Sequence, residues 1–273
     1  MSASLKQTKN FWRDPYSYFL PGGILLLWLI VTEFKLVEPR LVPSIGSVAD
    51  ALWELFRTGV RIDFSTNLGL AIGLSISRVF RGFVLGNILG FLFGSALGLS
   101  SKAERLFLPL FHAARQVPFV GWIPLIIIWC GTGEGGRITF ITLGAFTPMA
   151  LNTYAGIAGV PKQYLELGQV YRLSLWQLFC RIILPAALPS ILTGVVLSFN
   201  MSWILLIAAE IMISTQVGLG ALISDAREIF YMDVVFAGVF LIVVITLSLN
   251  YLIEIGQQKL LGRFKKEGTR GGY

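Results

Sequence analysis

Charge is what this sequence has least of. Only 14% of its 273 residues are Asp, Glu, Lys or Arg, against about 25% in an ordinary soluble domain. So few charges could not cover the surface of a water-soluble body this size. The 55% hydrophobic content excludes a disordered chain. Histidine occurs once, as His112, which excludes a histidine-based metal cluster. No G-x-x-x-x-G-K-[ST] occurs, so this chain has no P-loop for ATP. A serine-dependent intramembrane protease would need His112 as its base, and no serine or orienting acid stands near it in sequence.

The charges that are present leave long gaps. Between Asp14 and Glu33 lie 18 uncharged residues, between Arg81 and Lys102 20, and between Arg115 and Glu134 18. Arg137 to Lys162 encloses 24, Arg181 to Glu210 28, and Asp233 to Glu254 20. A helix crosses the hydrocarbon core with about 17 to 25 apolar residues. The pattern predicts six transmembrane spans, near 16–32, 80–101, 106–131, 138–160, 183–210 and 234–255, behind an N-terminal tail at 1–14. The gap from Asp63 to Arg78, at 14 residues, is too short to span. The first apolar stretch is not followed by a small-residue cleavage pattern; Glu33-Phe34-Lys35 comes instead, and an uncleaved first span is expected.

Lys and Arg counts orient such a chain. With the N-terminus inside, the inner segments hold 13 Lys and Arg and the outer segments 6. Both termini are therefore expected in the cytoplasm of a cell (inner) membrane protein. The net charge of +7 follows from this bias and from the anionic membrane surface, with no nucleic acid required. Cys130 and Cys180 fall on opposite sides in this topology, so no intrachain disulfide is expected.

Along the chain, Ser47 reads as an N-cap with Asp50 three residues on. It would open a short amphipathic helix with Val48, Leu52, Leu55 and Phe56 on its apolar face. Gly82, Gly86, Gly90, Gly94 and Gly98 recur at a strict spacing of four. Small residues at that spacing let two helix backbones approach closely in lipid. Arg115-Gln116-Val117-Pro118 and Pro124 break the third span. Such breaks survive in lipid only against protein or a water-filled cavity, so Pro118, Trp122 and Pro124 are candidates for a pathway or for a structural kink. Arg115 and Glu210 are the ionisable groups to explain. Either they pair and fix spans three and five, or Arg115 attracts an anion. Gly131-Thr132-Gly133-Glu134-Gly135-Gly136 fits G-x-G-x-x-G but lacks the strand–helix context of a dinucleotide site.

The loop between spans four and five, at 161–182, carries the most information. Pro161 fits a helix first turn, with Tyr164, Gly168 and Tyr171 along one face. Ser174-Leu175-Trp176-Gln177 reads as a capping box that starts a second short helix with Leu175, Leu178 and Ile182 on its apolar side. Two short helices make a docking surface rather than a linker.

Glu166-Leu167-Gly168, Arg172 and Ile182-Ile183-Leu184-Pro185 resemble the "EAA" signature of binding-protein-dependent ABC importer permeases: E-A-A, three residues, G, nine residues, I-x-L-P. Leu167 and Gly168 stand in place of the alanines. Arg172 stands in place of the glycine, at the turn between the helices, where the Ser174 cap would fix the start of the second helix. Leu41-Val42-Pro43-Ser44, Ser77-Arg78-Val79-Phe80-Arg81-Gly82-Phe83, Asn152-Thr153-Tyr154-Ala155-Gly156, Ala208-Ala209-Glu210 and Gly218-Leu219-Gly220 resemble the nitrate, sulfonate and taurine subgroup. The resemblance implies an all-α, polytopic type I ABC importer permease with cytoplasmic coupling helices, and no enzyme activity of its own. It further implies a second permease copy, an ATPase dimer holding ATP and Mg, and an extracytoplasmic substrate-binding protein. Tyr164, Leu165, Glu166, Leu167, Gly168, Tyr171 and Arg172 would couple to the ATPase. An alkanesulfonate or taurine is the first expectation for substrate; nitrate, bicarbonate or a pyrimidine precursor follows. A secondary transporter would need ion-coupling acids within its spans, where only Glu210 is available.

Overall fold

In the computed structural model, residues 15–38, 40–58, 68–213 and 217–270 are described. The expected tail at 1–14 lies outside them. A 3-10 turn, Pro15–Tyr18, leads into α1 (Phe19–Glu33), followed by α2 (Ile45–Thr58), α3 (Leu68–Leu99) and α4 (Ser101–Ala114). A second 3-10 turn, Phe119–Trp122, opens α5 (Ile123–Cys130). Then come α6 (Glu134–Ala158), α7 (Lys162–Val170) and α8 (Leu175–Leu178), a π turn (Phe179–Ile183), α9 (Leu184–Met212), α10 (Leu219–Glu228) and α11 (Met232–Arg270). There is no strand among the described residues. Among the described residues, three helical stretches are long and apolar enough to cross a membrane, and a fourth if α4 and α5 count as one bent span.

The chain forms two compact units. The smaller holds the described residues within 1–65 together with Ile223–Phe240. There, Ser44 rather than Ser47 caps α2: its Oγ accepts the Ser47 N–H at 3.1 Å. The extended residue before a helix is the one whose side chain can reach back to the N3 amide, and Ser47 is already inside the first turn. Val48, Ala51 and Leu55 are buried. Phe56, expected among them, is exposed. Trp28 stacks at a tilt on Phe236, with ring centroids 5.6 Å apart, and donates its indole N–H to the Pro43 carbonyl at 3.0 Å.

The larger unit holds the described residues within 66–222 and those from Leu241 on. Its centre is α6, with α3 on one side and α9 on the other. The glycine stripe of α3 lies against α6 of the same chain. A Cβ at Gly86 would fall 2.5 Å from the Ala145 Cβ and 2.6 Å from the Thr142 carbonyl; at Gly90 it would fall 2.8 Å from the Phe146 carbonyl. Only backbones without side chains can approach this closely. Hydroxyls bridge the α6–α9 contact: Ser198 donates to the Ala145 carbonyl at 2.9 Å and Ser190 to the Asn152 carbonyl at 2.8 Å. The helix containing the second expected span begins at Leu68, not near residue 80. The short gap from Asp63 to Arg78 thus contributes its last turns to α3, and Arg78 lies well inside it. The third expected span is broken: α4 and α5 meet at a bend of 98°.

Candidate functional site

The loop predicted to dock a partner is built as two helices. Pro161 immediately precedes α7 and accepts the Tyr164 N–H at 3.0 Å. The helix ends in a Schellman motif, in which the Leu173 N–H reaches the Gly168 carbonyl at 3.0 Å. Arg172 occupies the left-handed position of that motif with φ 48°. This is the position at which the signature has glycine, so the arginine takes up the backbone conformation that glycine adopts more readily. The Ser174 capping box forms on both sides: Ser174 Oγ accepts the Gln177 N–H at 3.3 Å and Gln177 Oε1 accepts the Ser174 N–H at 3.0 Å.

Leu165, Leu178 and Phe179 pack on a buried cluster that includes Ile157, Val160 and Ile183. A Cβ at Gly168 would overlap the Leu178 side chain. Gly168 is thus buried, whereas Tyr164 and Tyr171, expected along the same face, are exposed. Glu166 and Leu167 are exposed as well. Leu175, expected on the apolar side, is 86% exposed beside Trp176; with Val170 and Tyr171 it gives an apolar patch on a polar loop. Pro185 has no N–H to return to the Arg181 carbonyl, and the π turn at Phe179–Ile183 absorbs the mismatch. Leu175 through Met212 is consequently one unbroken helical stretch.

At the broken span, Arg115, Pro118 and Pro124 are exposed and Trp122 is half-buried. Trp122 packs against the buried cluster that includes Ile123, Phe140 and Leu205. The G-x-G-x-x-G segment is the tight reversal from α5 to α6. Gly131 has φ 76°, and a Cβ at Gly136 would overlap the Gly131 carbonyl.

The expected Arg115–Glu210 pair does not form. The partner of Glu210 is Arg78, whose Nη1 donates to Glu210 Oε1 at 2.7 Å, and both residues are 2% exposed. Arg78 also grips Glu134, Nη2 to Oε1 at 2.6 Å, and donates to the Val217 carbonyl at 2.8 Å. Glu210 accepts further from Ser75 Oγ at 2.6 Å and from the Gly220 N–H at 2.8 Å. Arg137 joins through Glu134 at 3.1 Å and donates to the Ile213 carbonyl at 3.1 Å. A buried charge needs such full pairing, and the network fastens the residues around 217–220 to α3, α6 and α9. Sequence reasoning missed Arg78, Glu134 and Arg137. A signal was present: stepping back four residues from Gly82 along the stripe lands on Arg78, the same buried face.

A chain built this way, with small-residue-packed apolar helices, a bent span and a capped two-helix loop, has the fold of an ABC importer permease. The solved inward-facing structures of the MetNI methionine ABC transporter contain a chain that matches it with a TM-score of 0.53 at 20% identity, covering 84% of this chain and 99% of that one; the likeness is one of fold. The chain belongs to the binding-protein-dependent transport system inner membrane component family, whose model matches residues 86–266. Among its relatives are the aliphatic sulfonates transport permease protein SsuC of Bacillus subtilis, 34% identical over 89% of this chain and 85% of that protein, and the taurine transport system permease protein TauC of Escherichia coli, 31% identical over 92% and 91%. The bicarbonate transport system permease protein CmpB of Synechocystis is 30% identical over 92% and 95%. The chain is thus a multi-pass membrane permease subunit and not an enzyme, and it works with an ATPase and a substrate-binding protein.

Proposed function

We propose that this chain forms the membrane pathway of an ATP-driven importer for a small anion, with an alkanesulfonate or taurine as first substrate. The observation that carries the reading is the capped two-helix loop at 161–182. It is braced by Leu165 and Gly168 and presents Tyr164, Glu166, Leu167 and Tyr171. These residues, with Arg172 setting the turn, grip the ATPase. ATP and Mg are held on that partner. Closure of the ATPase dimer moves the loop, and the continuous helix from Leu175 carries the motion into the membrane. Two copies of the chain form the pore in the cell inner membrane, with both termini in the cytoplasm. The broken span, with Arg115, Pro118, Trp122 and Pro124, lines the route. Sulfonate and taurine relatives at 31–35% identity support the substrate class.

The test is co-expression of the permease with its ATPase and binding protein, followed by pull-down and uptake of labelled taurine against unlabelled alkanesulfonate, nitrate and bicarbonate. Charge reversal at a partner interface is expected to weaken it by roughly 1–3 kcal/mol, or about five- to 150-fold. Glu166→Arg should accordingly lose the ATPase on pull-down and lose uptake. Normal co-purification with normal uptake refutes the coupling role. Competition by nitrate or bicarbonate but not sulfonate refutes the substrate class.

A further inference from the structure

The smaller unit contains a cavity of about 450 Å³ that the coupling mechanism does not use. Its size falls within the range of about 300–1,000 Å³ typical of small-molecule sites. It opens where four chain segments meet: the end of α1, the turns after it, the start of α2, and the turn from α10 into α11.

Its lining has two chemistries. Lys35 and Arg40 bring two cations and Asp233 one carboxylate, so the lining residues carry one net positive charge; Glu38, outside the lining, meets Arg40 only at 4.0 Å in an exposed pair, which solvent weakens. Ser44 and Ser47 also line it. Ser44 caps α2 and Ser47 lies in its first turn, so the positive end of a 14-residue helix faces the same space. The remaining wall is largely apolar, with Val37, Val42, Phe230 and Met232. Two of the lining residues are backbone outliers. Lys35 has φ 51° and Phe230 has φ 61°, each just past a helix end, with Leu36 N–H bonded to the Val31 carbonyl and Tyr231 N–H to the Ala226 carbonyl. Each is the left-handed position of a Schellman helix end, as Arg172 is. Here they place one cation and one aromatic ring at the cavity.

We infer that this cavity binds a small organic monoanion, its oxyanion head toward Lys35, Arg40 and the start of α2, and its apolar body on Val37, Val42, Phe230 and Met232. One net positive charge matches a monoanion, and the Asp233 carboxylate disfavours a dianion. On the topology proposed above this end of the unit faces outward, so the site would receive solute before it enters the pathway. That last step rests on the importer reading; the site itself does not. The same chemistry describes an anionic lipid headgroup, and the experiment separates the two sources.

The full-length permease is reconstituted in phosphatidylcholine nanodiscs and titrated calorimetrically with butanesulfonate, butylammonium and sulfate. Saturable butanesulfonate binding is expected, weakened by added salt, with weaker binding of sulfate and none of butylammonium. The double variant Lys35→Gly/Arg40→Gln removes both cations while glycine keeps the left-handed turn, so folding is preserved. It should bind about tenfold more weakly or worse, about 1.4 kcal/mol. Arg57→Gln, at the far end of α2, should bind as the wild type does. Binding that survives the double variant, or equal binding of butylammonium, overturns the site. Loss of butanesulfonate binding in discs containing phosphatidylglycerol assigns the anion site to a lipid headgroup; undiminished binding assigns it to a soluble anion. Failure here leaves ATPase pull-down and uptake unchanged as a separate test of the importer reading.

Discussion

Gly86→Ala adds one methyl to a crowded part of the α3–α6 contact. The new carbon would sit 2.5 Å from the Ala145 Cβ, 2.6 Å from the Thr142 carbonyl oxygen and 3.0 Å from the Phe146 nitrogen. Two of these three neighbours are backbone atoms, and no rotamer change can move them. Carbon atoms rest about 3.5–4.0 Å apart, so the helices must separate by about 1 Å. A gap of 0.5–1 Å forfeits a quarter to a half of each contact across it. Because both helices are rigid, the opening spreads to Gly82 and Gly90, which are equally crowded. Overpacking of this kind costs about 1–3 kcal/mol, offset by up to about 1 kcal/mol of helix propensity. A net loss of about 1–2 kcal/mol is expected. Unfolding in mild detergent, followed by tryptophan fluorescence against denaturant, measures it. Gly73→Ala on the same helix is the control, since a Cβ there meets nothing within 4 Å; it should be neutral or slightly stabilising. Gly86→Ala with Gly90→Ala should cost less than the sum, because the first substitution has already opened the seam. Equal stability of the Gly86 and Gly73 variants, or full additivity of the pair, refutes the reasoning.

Other outcomes follow from the same geometry. Glu210→Ala or Arg78→Ala leaves a buried charge without its partner, and each should lower stability by about 3–5 kcal/mol, read as loss of folded protein in detergent. The double variant Arg78→Met/Glu210→Leu should lose less than the sum; additive losses show that the two are not coupled. Arg172→Gly should raise stability by up to about 1 kcal/mol, because the left-handed penalty of roughly 1–2 kcal/mol disappears while the unfolded chain gains about 0.5–1 kcal/mol of freedom. Arg172→Val should fall below wild type in the same melting experiment. A valine variant as stable as the glycine variant contradicts the turn assignment.

Much of this was legible before any coordinates. The breaks in the third span, the capping box at Ser174 and the two-helix loop are local events, dictated by proline, serine and glutamine within a few residues. The spacing of glycines announced a close helix contact, because a period of four marks one helical face. The end of α3 was legible and its start was not. Charged Arg78 looked like a boundary, whereas Glu134 and Glu210 neutralise it inside the helix. Leu175 and Phe56 followed the apolar pattern and still lie exposed, since periodicity fixes a face and says nothing of whether a neighbour covers it.

The sequence by itself determined which segments are apolar, where the chain must turn and which loop is capped. These depend on hydration and on hydrogen bonds closed within a few residues. Only the tertiary structure decided that α6 fills the glycine seam of α3, and that Arg78 rather than Arg115 answers Glu210. Pairings between residues far apart in the chain depend on how helices pack, and a linear pattern of charge carries no record of that distance.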